Sequence, residues 1–142
     1  MTQVQDEQLK TLKKEVDELF DEVISPLEAF DVPKGSWGKN KMINNGGQFH
    51  GIFEQLRKFA KTMPTYAAEI NDEFEKFTWP AIDNMKAKAE TMETNLMAKK
   101  KLLLDMLEFL QIKARALKNE KELSDLKAVL NVLPGIVDNS TK

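Results

Sequence analysis

From Ala81 to Leu133 the chain runs for 53 residues without a glycine or a proline. Within that run apolar side chains recur in steps of three and four: Ile82, Met85, Ala89, Met92 and Leu96, then Leu103, Met106 and Leu110. Lys99 breaks the seam once. This spacing keeps one face of an α-helix apolar, and it predicts a long helix over about 81–117. At 1.5 Å per residue such a helix is about 55 Å long. A compact globule of 142 residues has a diameter of only roughly 37 Å. The expectation is therefore an elongated all-α molecule, a helical bundle or coiled-coil-like rod of four to five helices.

The remaining helices follow from the same periodicity. Leu9, Leu12, Val16, Leu19, Val23, Leu27 and Phe30 form a near-heptad stripe. Thr2 with Gln5 fits a capping box that starts a helix near residue 3. Pro26 removes a backbone donor, so this helix is expected to kink in its last turn or to end early, at 24 or 30. A second helix is expected from Gln48, with Phe49, Ile52, Phe53, Leu56, Phe59, Ala60 and Met63 on one face. Tyr66, Ala67, Ile70, Phe74 and Phe77 keep helical spacing beyond Pro64, and Pro80 precedes the long helix. Asn119 with Glu122 resembles another capping box and opens a short last helix bearing Leu123, Leu126, Val129, Leu130 and Leu133. Pro134-Gly135 is expected to end it. One helical domain over 1–137 and a frayed tail over 138–142 result.

Between the first two helices lies the one long irregular stretch that the sequence predicts, Asp31–Gly47. Five of the six glycines fall between residues 35 and 51, and Pro33, Asn40, Asn44 and Asn45 add further turn-forming residues. Loops of this length are usually functional or disordered. Trp37 stands within it, near Lys34, Lys39 and Lys41. An indole among lysines suits an interface anchor. The plainer reading folds Trp37 back over one end of the bundle.

Charge adds a topological hint. Formal net charge is −2, too little to attract nucleic acid. It conceals an alternation by block: −5 over 1–30, +4 over 31–63, −4 over 64–97 and +3 over 98–142. Sequence neighbours of opposite sign favour side-by-side packing in an antiparallel bundle.

Hardware for catalysis is missing from the sequence. There is no cysteine, so thiol chemistry, disulfides and cysteine metal sites are excluded, and His50 is the single histidine. Paired Glu-x-x-His motifs for a di-iron bundle and His-Glu-x-x-His for zinc cannot be built from one histidine. His50 and Glu54 stand one turn apart, a spacing more common in a surface contact than in a metal site. No nucleophile elbow and no phosphate loop occurs. No catalytic, cofactor-binding or metal-binding residue is expected.

What remains is contact. Lys99-Lys100-Lys101 precedes a stretch, Leu102–Ile112, whose apolar residues surround most of the helix. Burial from several sides is expected there, either inside the bundle or against a partner. A basic cluster beside apolar turns could also meet an anionic membrane. Ala128–Val137 is a further apolar segment. The residues expected to meet a protein partner are Trp37, Lys39, Lys41, Met42, Leu103, Met106, Leu107 and Leu110. The leading reading is a non-enzymatic scaffold or assembly subunit, a homo-oligomer or part of a larger complex. The alternatives are a membrane-active helical protein and a carrier of an apolar ligand. Purely apolar runs reach only three residues, as at Leu102–Leu104, far short of the roughly 20 that span a bilayer. Met1–Lys10 does not read as a signal peptide, so a cytoplasmic location is favoured. No motif carries a resemblance specific enough to name a family.

Overall fold

Four helices account for the regular structure among the described residues, and together they hold more than two thirds of the chain. They are α1 (Gln3–Ala29), α2 (Gly38–Thr62), α3 (Ala89–Ala116) and α4 (Glu120–Thr141). The computed structural model describes residues 3–32, 38–62 and 88–141, with backbone only at 3–5, 39, 59–62 and 134–141. No strand occurs among these residues, and the helices pack as a bundle.

α1 buries Val16, Phe20, Val23, Ile24 and Leu27. Their steps of three and four put them on one face. Pro26 lies inside the helix, which continues to Ala29. The longer of the two expected lengths is the one adopted. The Phe30 N–H then donates to the Leu27 carbonyl at 3.2 Å and closes the last turn.

α2 corrects the expected loop. It begins at Gly38, ten residues before Gln48, so 38–47 is helix despite its glycines and asparagines. Each such glycine costs roughly 1 kcal/mol relative to alanine in a helix interior. Packing outweighs that cost, because Met42, Asn45, Phe49, Ile52, Phe53 and Leu56 are buried along one face. α2 sets that face against α3 and α4. Residues 33–37, including Trp37, and residues 63–87, including Pro64 and Pro80, lie outside the described residues.

α3 is the core of the predicted long helix, but it is not continuous over 81–117. Lys88 is extended (φ −67°, ψ 146°), and the helix starts after it. Ala89, a seam position by spacing, is exposed, and Met92 is the first enclosed side chain of the helix. Periodicity alone does not sustain a helix where its apolar face is not enclosed. At the other end Leu117 is extended and its N–H donates to the Ala114 carbonyl at 3.1 Å.

Asn119 caps α4 as the spacing predicts: its Oδ1 accepts the Glu122 N–H at 3.2 Å. The helix then continues through Pro134 and Gly135 to Thr141, against the expected stop. Proline deletes one backbone donor and crowds one carbonyl. The preceding turns are anchored by Leu126, Leu130 and Leu133, all fully buried.

The arrangement around the bundle axis also differs from expectation. α1 packs on α3 and α4, and α2 packs on α3 and α4. Sequence neighbours α1 and α2 thus sit across a diagonal, as do α3 and α4. Charge complementarity survives in another pairing, with acidic α1 lying against the net-positive C-terminal block. α1 and α3 run antiparallel: Asp17 meets Arg115, Asp21 meets Gln111, and Glu28 meets Lys100. α4, reversed by the short 117–119 connection, runs parallel to α1, with Glu15 paired to Lys127.

Candidate functional site

The core claims most of the residues that the sequence marked for a partner. Leu103, Met106, Leu107 and Leu110 are each 0% exposed and share one continuous core with side chains of all the other helices. Met42 is buried in the same core. These five are corrected from partner contacts to interior positions, because the chain's own helices enclose them. Burial from all sides holds only in part: Leu102, Leu103, Met106, Leu107 and Leu110 are in the bundle interior, Leu104 and Phe109 are partly buried, and Ile112 is 62% exposed. Lys41 is exposed on α2, Lys39 is placed on the same helix by its backbone, and Trp37 lies outside the described residues.

The basic cluster is dispersed into three separate roles. Lys99 is fully enclosed, and burial pushes its ammonium down from 10.5 to about 8. Lys100 Nζ donates to the carbonyls of Glu28 and Phe30, at 2.8 and 2.9 Å, and so receives the free carbonyls at the end of α1. Lys101 remains at the surface and pairs with Asp105 one turn on, at 2.9 Å. A contiguous basic patch is therefore not what this segment presents.

The polar chemistry instead gathers where α1 meets α3. Arg115 Nε donates to Asp17 Oδ1 at 2.8 Å, and that bond, ahead of the Coulombic attraction, raises the guanidinium pKa. Gln111 Nε2 donates to Asp17 Oδ1 and Asp21 Oδ1, at 3.3 and 3.2 Å. Lys13 Nζ donates to the Arg115 carbonyl at 2.9 Å, at the C-terminal end of α3. Motif search missed this network because nothing in it is local in sequence. The alternating charge of the blocks was the one signal that touched it.

On the far side of α1 an open groove follows the parallel pair α1 and α4. Its first part has a volume of ≈ 510 Å³ and is lined by Glu7, Gln8, Thr11, Leu12, Glu15, Glu120 and Ser124. A second part, of ≈ 190 Å³, continues past Glu18, Leu19, Glu22, Lys127 and Asn131. Leu12 and Leu19 are half-buried at its base and pack against the core. Five of the twelve lining residues are glutamates (Glu7, Glu15, Glu18, Glu22 and Glu120), and one of these, Glu15, is paired with Lys127. The groove offers an apolar floor within an acidic rim, which suits a helix bearing basic side chains.

His50 and Glu54 approach to 3.7 Å with both side chains about half exposed, and His50 stacks on Phe53 at 6.1 Å. Among the described residues no group of three His, Asp or Glu side chains is placed to hold a metal ion. Nor is any helix among them long and apolar enough to cross a membrane. No known family matches the chain, and no curated protein or solved structure is similar to it.

Proposed function

We propose that this protein is a non-enzymatic assembly subunit, an elongated helical rod that works by helix-mediated contact with other protein chains. The observation that carries the reading is the α1–α4 groove, whose lining extends from Glu7 to Glu22 on α1. Glu15 lines both parts of the groove and pairs with Lys127 across the two parallel helices, so a partner helix would lie over this bridge and the half-buried Leu12 and Leu19. The acidic walls select a partner helix with lysine or arginine on its flanks. Enzymatic chemistry has no comparable support, since the charged side chains bridging the helices serve capping and pairing.

Light scattering coupled to size exclusion tests the proposal. The wild type is expected to run well above the 16.2 kDa of one chain, or to bind a lysine-rich amphipathic peptide at low salt. Glu18→Lys with Glu22→Lys, both surface changes, is expected to abolish the association while helical content stays constant. A wild-type chain that runs at monomer mass and ignores such peptides overturns the reading.

A further inference from the structure

The first half of α2 is built from residues that disfavour the structure it adopts. Between Gly38 and Gly51 stand four glycines and three asparagines, all in helical conformation. Glycine is second only to proline among poor helix formers, and asparagine ranks low as well. α1 and α3 contain no glycine at all.

A glycine can be required by a left-handed backbone or by close packing. Neither applies at Gly47 or Gly51. Neither has a left-handed φ, and a Cβ placed on either would meet nothing within 4 Å. Alanine would fit both positions of the folded helix. The folded state therefore gives no reason for glycine there, and the unfolded state of the segment does: each glycine enlarges the ensemble that the helix must exclude. A second burden acts in the same direction. Gln48 carries a buried side-chain carbonyl oxygen with no hydrogen-bond partner, a penalty that opening to water relieves.

From these independent features we infer that residues 38–51 form a conditional helix, a segment that opens as a unit while α1, α3 and α4 remain folded. Opening lifts Met42 and Phe49 from the core. It also releases the Phe49 ring from its edge-to-face contact with Phe30, whose centroid lies 5.1 Å away. An apolar surface at the C-terminal end of α1 is thereby shown or hidden according to the state of one segment. Order–disorder elements of this kind are drawn from the least stable part of a fold. The inference does not depend on the α1–α4 groove, and either can fail alone.

Hydrogen exchange on the full chain, read by mass spectrometry, tests it. Amides of 42–51 are expected to exchange at least about tenfold faster than those of 102–114 in α3. In the Gly47→Ala, Gly51→Ala double variant the 42–51 amides should slow by roughly 25-fold, from about a fivefold effect at each site, with α3 unchanged. Circular dichroism verifies that the variant is folded. Protection over 42–51 equal to that of α3 in the wild type overturns the inference. So does a double variant whose 42–51 amides exchange no more slowly than before.

Discussion

Lys99 occupies a position that its neighbours in the seam give to Leu96 and Leu103. Burying the Lys99 side chain removes hydration from its ammonium, and its pKa falls to about 8 from the 10.5 of an exposed lysine. Between those two values the unfolded chain holds a proton that the folded chain has released, so stability must rise as pH goes from about 8 to 10.5. Below pH 8 the burden of the buried charge is present in full. Replacing Lys99 with Met removes the titrating group and should flatten that rise. Urea unfolding of both chains at pH 7 and 9.5 measures the effect, and an equal alkaline gain in the variant would assign it to another group. The break in the seam was readable from spacing alone. Phe20 was not: the stripe's Val16, Val23, Leu27 and Phe30 are buried as their spacing implies, but only packing shows that Phe20 is fully enclosed while Leu19 beside it is half-buried.

At the level of the element, local signals succeeded where they described a termination that nothing opposed. Asn119 with Glu122 marked the start of α4, and the bond from the Glu122 N–H to Asn119 is present. Asn119→Ala should lower stability by about 1 kcal/mol, the usual worth of an N-cap, and thermal melting will register it. A fall no larger than that of an exposed Lys118→Ala control would mean the cap is idle. The same kind of signal misled at Gly46, Gly47 and Pro134. Glycine and proline weaken a helix by a few kcal/mol at most, and a face carrying Met42, Phe49 and Ile52, or Leu126 and Leu130, offsets that by burial. Lys88 shows the converse, a good helix former left extended where the seam beside it is exposed. Helix type was legible because periodicity reports which face will be buried. Helix limits were not, because they depend on how far the neighbours extend.

For the molecule as a whole, fold class was open to reading and topology was not. Block charges suggested which helices attract one another, yet attraction between surface charges is weak and does not decide which helix lies beside which. The diagonal placement of α1 opposite α2 follows from how four apolar faces close on one core. The candidate groove was equally hidden, since its walls come from residues more than 100 positions apart. The lysine caps shared by α1 and α3 have one more consequence. Lys13 precedes Glu28 by fifteen residues, and Lys100 precedes Arg115 by fifteen. Each lysine grips the far end of the other helix, so the pair acts as a gauge in which two struts of equal span, about 22 Å, check each other's length. A heptad inserted into α1 alone between Asp21 and Pro26 should lower the melting temperature sharply. The same heptad added to α3 between Lys101 and Gln111 should harm the doubly extended chain less than it harms the wild type. Independent, additive losses would show that the two helices end where they do for unrelated reasons.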